Sequence, residues 1–252
     1  MIKKVTIIGS GNVATQLSLA FKKNKIKILQ VISRNIDSGQ ELAKRIQASF
    51  TNNIKKIVDT DLVFICVNDD EIMNVVKNIP NIPIVHTSGS TSINIFKKKE
   101  QYGVFYPLQS LNKGINIDFS DIPICIEAST TSLHKKLHSI AQKISKNVIS
   151  LNSTKRKHLH LAAVIAANFS NFSYLIAKKH LKKHQIEFDL LKPLILHNTQ
   201  KIIHNDPKLT QTGPAKRGDK NIIKEHINML ENQDYKKIYK LLSKTISKEY
   251  VK

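Results

Sequence analysis

The chain has 252 residues, of which 41% are hydrophobic, and this length suffices for one large core or two modest domains. No run reaches the roughly 18 apolar residues of a membrane span, so the sequence predicts none. A strand starts within a few residues of Met1, which leaves no space for a signal peptide and favours a cytoplasmic protein. Cys66 and Cys125 lack metal-binding spacing, which argues against a disulfide scaffold and a zinc site.

The net charge of +21 raises the hypothesis of a nucleic-acid-binding protein. Residues 1–150 carry a net +9 and residues 151–252 a net +12, so the excess is spread along the chain. It comes from 36 Lys and only four Arg, and the chain has 6% aromatic residues and no Trp. Because nucleic-acid readers use arginine and stacked aromatics, we expect nonspecific polyanion binding at low salt and no specific nucleic-acid partner.

In chain order, short apolar segments alternate with amphipathic ones up to about residue 151. The first strand begins at Val5, and further strands are predicted at 26–33, 48–51, 61–68, 84–86, 103–106, 122–127 and 148–151. Helices are predicted after the first strand, at 38–47, after Asp69, and at 132–145. This alternation predicts an α/β fold, a doubly wound parallel sheet, as a first domain over residues 1–151.

From residue 153 the pattern becomes helical, with predicted helices at 154–185, 189–204, 220–230 and 234–250. We therefore expect a smaller all-α domain over residues 152–252, following the sheet domain. An apolar helical domain of this size commonly packs on a second copy, so we also expect a homodimer formed through it. Histidine pairs at i,i+4 spacing lack a third ligand and lie among lysines, so no metal site is predicted.

A glycine-rich turn follows the first strand. Gly9 permits a tight turn off the strand, Gly11 lets the backbone approach a pyrophosphate, and Ala14 lets the following helix pack closely on the sheet. The diphosphate would then lie at the positive end of that helix. The predicted cofactor-binding residues of this region are Gly9, Ser10, Gly11, Asn12, Val13 and Ala14, joined by Val67 and Asn68 at the end of the strand at 61–68.

The second strand ends in Ser33 and Arg34, where an enzyme that uses NAD usually has an acidic residue for the ribose hydroxyls. A hydroxyl and a planar guanidinium suit a 2′-phosphate instead. Arginine is rare in this chain, so its presence here favours NADP (NADPH) as the cofactor. The alternative is that Arg34 is a solvated loop cation.

Two further segments carry candidate catalytic groups. His86 and Ser88 leave a buried strand and would lie near a nicotinamide; the alternative is an ordinary polar loop in which a serine caps a helix. His160, Asn168 and Asn171 share one helix face at about 100° per residue, and His160 is the candidate proton donor because imidazole titrates near neutral pH. The alternative is that these polar groups satisfy one another at an interface.

A Gly/Pro-punctuated loop at 211–219 supplies candidate substrate-binding residues, Thr212 and Arg217, with Asn171 from the preceding helix as a third. Arg217 would hold an anionic substrate group or, alternatively, pair with Asp219.

Together these segments resemble one bacterial family that joins a Rossmann-like domain to a helical domain of unknown function. The matching residues are the turn at 9–14, Ser33-Arg34, His86 to Gly89, Phe105 to Ser110, the helix from His160 to Asn168, and Thr212 to Asp219. The family is often described as NADP- or deazaflavin-dependent oxidoreductases, with distant similarity to pyrroline-5-carboxylate reductase and the 6-phosphogluconate dehydrogenase group. Many members have His-Pro where this chain has Tyr106-Pro107, which weakens any transfer of an acid–base role to that position.

The expected function is an NADP(H)-dependent oxidoreductase that moves hydride to or from a small carbonyl, imine or alcohol held between the two domains. His160 would donate the proton and Asn168 would orient the substrate, while the cofactor supplies the hydride chemistry. The alternative is a non-catalytic NADP-binding sensor or scaffold. The resemblance adds the possibility that a deazaflavin is the hydride partner.

Overall fold

The computed structural model describes residues 2–250 and divides the chain into two compact units, one up to Asn168 and one from Phe169. The first unit contains a single eight-stranded sheet. Its strands are β1 Lys4–Ile8, β2 Lys27–Ile32, β3 Ser49–Thr51, β4 Leu62–Ile65, β5 Ile84–His86, β6 Tyr102–Pro107, β7 Ile124–Ala128 and β8 Val148–Ser150. The order in the sheet is β3-β2-β1-β4-β5-β6-β7-β8.

The strand order reverses between β1 and β4, since the chain leaves β1 toward β3 and then returns to the other side of β1. In an open parallel sheet this switch point opens a crevice at the carboxyl ends of the strands, where ligands bind. Every strand pair is parallel except β6 and β7, which run antiparallel. The predicted α/β fold class is confirmed, but β7 and β8, which pair parallel with each other, run opposite to the other six strands.

Helices pack on this sheet through apolar faces. They are α1 Asn12–Lys23, α2 Ile36–Ile46, α3 Ile72–Val76 and α4 Thr131–Gln142. A further helix, α5 Ser153–Ala163, follows β8 and buries the polar side chain of Arg156. On α1, Phe21 is fully buried and contacts Phe64 and Phe105 edge-on, with ring centroids 5.0 and 6.2 Å away. Each such side chain contributes about 1.5–3 kcal/mol by leaving water. This aromatic cluster holds α1, and so the glycine turn that precedes it, against the sheet.

The helix that starts at α5 changes its geometry in the middle. Residues Val164–Phe169 form a π-helical segment, and an α-helix resumes at Ser170. The π-turn changes the rotation of about 100° per residue from which His160, Asn168 and Asn171 were predicted to share one face. The compact units divide inside this helix, whereas the predicted boundary lay near residue 151.

Taken as one helix, Ser153–Lys183 has 31 residues and a mean hydropathy of 1.4 in its most apolar window, none of which is buried. By length and composition it is long and apolar enough to cross a membrane, although the sequence predicted no such segment. Core helices of soluble proteins meet the same criterion. Its first turn carries Arg156, which is fully buried in the sheet unit.

The second unit is all-helical, as expected. It contains α6 Ser170–Lys183, α7 Lys192–His204, α8 Pro207–Thr210, α9 Pro214–Arg217, α10 Lys220–Met229 and α11 Gln233–Tyr250. α9 packs on α11, where the Ser247 hydroxyl donates to the Ala215 carbonyl at 2.8 Å. The described residues of α6, α7 and α10 include none that is buried, although all three helices carry apolar side chains.

Candidate functional site

Two adjoining cavities lie at the carboxyl ends of the central strands. The first, of about 650 Å³, is lined by Tyr106 and His160 and is called the His160 cavity below. The second, of about 530 Å³, is lined by Ser33 and Arg34 and is called the Arg34 cavity. The two share four lining residues, Gly11, Cys66, Val67 and Asn68. Together they form an elongated groove across the switch point, entirely within the first unit.

The glycine turn forms the middle of this groove. Gly9 has a φ of +116°, and a Cβ there would overlap the carbonyl of Cys66. Gly11 precedes α1 without a side-chain cap, and a Cβ placed on it would meet no protein atom within 4 Å. The space at Gly11 and the uncapped helix N-terminus therefore fit a pyrophosphate.

The other predicted residues of this turn divide between the cavities and the core. Asn12 and Val13 line the His160 cavity, Ser10 lines the Arg34 cavity, and Ala14 is fully buried in the first turn of α1. Ala14 is therefore a packing residue, as its predicted role requires. Val67, predicted as a cofactor residue together with Asn68, lines both cavities.

Ser33 and Arg34 line the Arg34 cavity with different surroundings. The Ser33 hydroxyl is buried and lies 2.7 Å from the Ser10 hydroxyl. The Arg34 side chain is 81% exposed, and its Nη1 lies 2.9 Å from Oε2 of Glu71. An exposed pair of this kind contributes at most about 1 kcal/mol, so it leaves the guanidinium able to bind a phosphate. Glu71 was not predicted from the sequence to lie beside Arg34.

His86 does not line either cavity. Its side chain is fully buried, and its Nδ1 accepts a hydrogen bond of 3.1 Å from the backbone N–H of Ser88. Burial, with a smaller contribution from the charge of Arg156, lowers the pKa of His86 to about 3. A neutral, buried imidazole is no proton donor near neutral pH, so the predicted catalytic role of His86 is replaced by a structural one that holds the loop at Ser88.

The low pKa of His86 predicts an acid-sensitive fold. In the unfolded chain histidine titrates near 6.5, whereas the folded protein keeps His86 neutral down to about 3. Between these values only the unfolded state takes up the proton, so stability falls by roughly 1 kcal/mol per pH unit as the pH is lowered. Urea unfolding at pH 7 and pH 5 measures this. His86→Asn should flatten the dependence, and an unchanged slope in that variant would contradict the assignment.

Tyr106 and His160 form a hydrogen-bonded pair in the His160 cavity. The Tyr106 hydroxyl lies 3.1 Å from His160 Nδ1, and the two rings meet edge-on with centroids 5.9 Å apart. A Cβ on Gly89 would lie 2.6 Å from His160 Nδ1 and 2.8 Å from Tyr106 Cζ, so only glycine leaves room for the pair. Burial raises the pKa of Tyr106. The sequence identified His160 but not its partner, although the Tyr106-Pro107 departure pointed to the position.

Ser88 belongs to a small hydroxyl–carboxylate network in the same cavity. Oδ2 of Asp69 accepts hydrogen bonds from the hydroxyls of Ser88, at 2.8 Å, and Ser90. The Ser88 oxygen in turn accepts from the backbone N–H of Thr91 at 2.9 Å. Asp69 was interpreted from the sequence only as an acid at a helix start. Its contact with Ser88, 19 residues away, had no local signal.

α5 is fixed to the sheet by the buried side chain of Arg156. Its guanidinium binds the carboxylate of Glu127 on β7 and the carbonyl of Thr91, and lies 3.2 Å from the hydroxyl of Ser153. Because Arg156 and His160 are one helical turn apart, this network sets the position of His160 in its cavity. Arg156 was not among the site residues predicted from the sequence.

The remaining candidates have separate positions. Asn168 lines the His160 cavity from the π-helical segment. Asn171 and Thr212 belong to the second unit and line neither cavity. Arg217, also in the second unit, pairs with Asp219 at 2.7 Å, which is the alternative that the sequence left open. Among residues 2–250 no cluster of three or more potential metal ligands occurs.

Comparisons with known proteins give a consistent picture. A family model described as "NADP oxidoreductase coenzyme F420-dependent" matches residues 4–86, and one described as a domain of unknown function, DUF2520, matches residues 122–246. A solved structure from Bacteroides fragilis, assigned as an NADP oxidoreductase, is 36% identical, with a TM-score of 0.93 and 98% of both chains covered. No curated protein matches the chain.

More distant structures share the fold. An imine reductase from Myxococcus stipitatus in complex with NADP⁺ is 12% identical, with a TM-score of 0.64, covering 97% of this chain and 92% of that one. A pyrroline-5-carboxylate reductase from Coxiella burnetii is 14% identical, with a TM-score of 0.57 and full coverage of both chains. The chain joins a Rossmann-like sheet to a region that matches the DUF2520 model. The resemblance found in the sequence is confirmed: the chain belongs to the family of the Bacteroides fragilis NADP oxidoreductase.

Proposed function

We propose that the protein is an NADP(H)-dependent oxidoreductase that acts on a small carbonyl, imine or alcohol bound in the His160 cavity. The observation that carries this is the pair of adjoining cavities that meet at Gly11, with Arg34 in one and the Tyr106–His160 pair in the other. A dinucleotide bound with its pyrophosphate at Gly11 would have its 2′-phosphate in the Arg34 cavity and its nicotinamide in the His160 cavity. The soluble oxidoreductase-type fold supports a soluble protein, and we keep the cytoplasm as its proposed compartment.

The residues available for the cofactor follow from this placement. The first turn of α1, after Gly11, offers backbone N–H groups to the pyrophosphate. Ser33 and Arg34 offer a hydroxyl and a guanidinium to the 2′-phosphate, for which Arg34 exchanges its surface contact with Glu71. Val67 and Asn68 line the passage between the two cavities.

The cofactor, when bound, supplies or accepts a hydride, and side chains of the protein must donate or accept the accompanying proton. The Tyr106–His160 pair serves this purpose, since its hydrogen bond of 3.1 Å links a hydroxyl to an imidazole in the cavity. In the reducing direction the Tyr106 hydroxyl or the imidazolium gives a proton to the substrate heteroatom, and water restores it. Asn168 and Ser88 line the same cavity and orient the substrate by hydrogen bonds.

Substitution of the proton-donating pair tests the function. Tyr106→Phe and His160→Ala should each lower kcat about 10²- to 10⁴-fold, because general acid catalysis contributes a factor of that size. The dissociation constant for NADPH should not change. NADPH oxidation with a panel of neutral carbonyls and cyclic imines, and then with a deazaflavin, measures both the activity and the hydride partner.

His158→Ala is the matched control, since His158 is exposed on the same helix and lines neither cavity. Full activity in both pair variants would contradict the mechanism. NADPH binding without turnover on any panel member would favour the alternative of a non-catalytic NADP-binding sensor or scaffold.

We also propose that the second unit forms a homodimer. Its described surface exposes many large apolar side chains, including Leu209 at 78%, Leu190 at 72% and Ile203 at 70%. A soluble monomer seldom leaves so much apolar surface open, and a self-complementary face of a second copy covers it most simply.

Light scattering after gel filtration should give twice the chain mass of 28.5 kDa. Leu196→Asp combined with Ile203→Asp should shift the mass toward the monomer, because a buried charge disfavours the interface. Asn198→Asp, at an exposed polar position about 200° around the same helix from Leu196, is the control. A monomeric wild-type protein at micromolar concentration would contradict the proposal.

A further inference from the structure

The His160 cavity has an unusual charge for this protein. The chain carries 40 Lys and Arg against 19 Asp and Glu. Yet the residues that line this cavity include neither lysine nor arginine, and Asp69 is the only one with a carboxylate. A site for a carboxylate or phosphate substrate uses an Arg or Lys clamp. The His160 cavity has a carboxylate in place of such a basic clamp.

The Asp69 carboxylate is held in place but not neutralised. Its Oδ2 accepts hydrogen bonds from the hydroxyls of Ser88 and Ser90. Across the described part of the chain, no hydrogen bond reaches its Oδ1 and no cation pairs with it, whereas Glu71, two residues later, pairs with Arg34. The two serines fix the carboxylate and leave one oxygen free for a ligand.

The carboxylate also acts on the proton-donating pair. Burial is the main cause of the raised pKa of the Tyr106 hydroxyl; the positive charge of Arg156 lowers this pKa, and the negative charge of Asp69 raises it by a smaller amount. The field of Asp69 therefore extends to the place where the Tyr106–His160 pair delivers its proton. Asp69 therefore favours a positive charge that develops on a substrate there, against the opposing charge of Arg156, which is itself paired with Glu127.

We propose that the substrate is an imine that becomes a cation in the His160 cavity, that it carries no carboxylate or phosphate, and that Asp69 binds its nitrogen. This inference rests on the proposed function and names its substrate class. The imine nitrogen takes a proton from the Tyr106–His160 pair and becomes an iminium. Hydride from the reduced nicotinamide adds to the carbon, and the C=N π pair becomes the nitrogen lone pair. The products are a neutral amine and NADP⁺, and water restores the proton to the pair.

Amine binding to the NADP⁺-loaded protein tests this without turnover. Pyrrolidine, which is cationic at neutral pH, and proline, which adds a carboxylate to the same ring, are titrated by calorimetry. We expect pyrrolidine to bind at least about 10-fold more tightly than proline, because the carboxylate of proline is repelled by Asp69 and finds no Lys or Arg partner in the cavity lining. Asp69→Asn should remove this preference.

Asp70→Asn is the matched control, since Asp70 is the adjacent acid, is exposed like Asp69, and does not line the cavity. Tighter binding of proline, or an unchanged preference in Asp69→Asn, would overturn the inference while leaving the oxidoreductase proposal intact. If Asp69→Asn weakens NADP⁺ binding but not NADPH binding, the carboxylate faces the nicotinamide and the inference is overturned. Failure of the wild-type protein to bind NADP⁺ would overturn the proposed function, and this inference with it.

Discussion

Arg156→Met should lower the free energy of unfolding by about 3–5 kcal/mol, the size of the loss when one partner of a buried ion pair is removed. The Arg156 side chain has no exposed surface, and the Glu127 carboxylate that it binds is 16% exposed. The substitution leaves this carboxylate without its counter-ion and frees the carbonyl of Thr91 from its hydrogen bond. Urea denaturation measures the loss.

Two further variants separate the buried pair from a general effect of removing an arginine. Arg45→Met changes an exposed arginine on α2 and should alter stability by no more than about 0.5 kcal/mol. Combining Arg156→Met with Glu127→Gln should recover part of the loss, because no uncompensated charge remains. A loss below about 1 kcal/mol in Arg156→Met would contradict the role given to this network.

Gly9→Ala and Gly11→Ala should separate folding from cofactor binding, although the two glycines are two residues apart. Gly9 has a φ of +116°, and its new Cβ would overlap the Cys66 carbonyl. We expect a loss of about 2–4 kcal/mol in the free energy of unfolding, from backbone strain and overpacking. At Gly11 the new Cβ meets no protein atom within 4 Å, so the unfolding free energy should stay within about 0.5 kcal/mol.

Cofactor binding should show a clear effect of Gly11→Ala, the variant that leaves stability nearly unchanged. The methyl group of Gly11→Ala enters the space that both cavities share, so the dissociation constant for NADPH should rise about 10-fold or more. Urea denaturation and NADPH fluorescence titration on the same preparations measure the two quantities. Normal NADPH affinity in Gly11→Ala would contradict the placement of the pyrophosphate.

Much of the fold was predictable because its signals are local. Apolar runs, the turn at Gly9 and the change to helical periodicity after residue 151 together indicated eight strands followed by helices. The reversed direction of β7 and β8 had no such signal, since it depends on the chain between Pro107 and Ile124 returning at the same end of the sheet. The π-helical segment was missed because the face argument assumed a uniform rotation per residue.

The candidate site was predictable where its residues are neighbours in sequence and not where they meet through space. The glycine turn and Ser33-Arg34 were found directly. The Tyr106–His160 contact joins residues 54 apart, and only the packing of α5 on the sheet creates it. Arg156 is different: the rarity of arginine, which drew attention to Arg34, applied equally to it and could have identified it.

Fluorescence titration of the wild-type protein and Arg34→Ala with NADPH and with NADH tests the central claim most directly. The account predicts that the wild-type protein binds NADPH at least about 10-fold more tightly than NADH, because Arg34 makes a charge-assisted contact with the 2′-phosphate. Arg34→Ala should bind both nucleotides with the affinity that the wild-type protein has for NADH. Equal affinity of the wild-type protein for the two nucleotides, or binding of neither, would contradict the account.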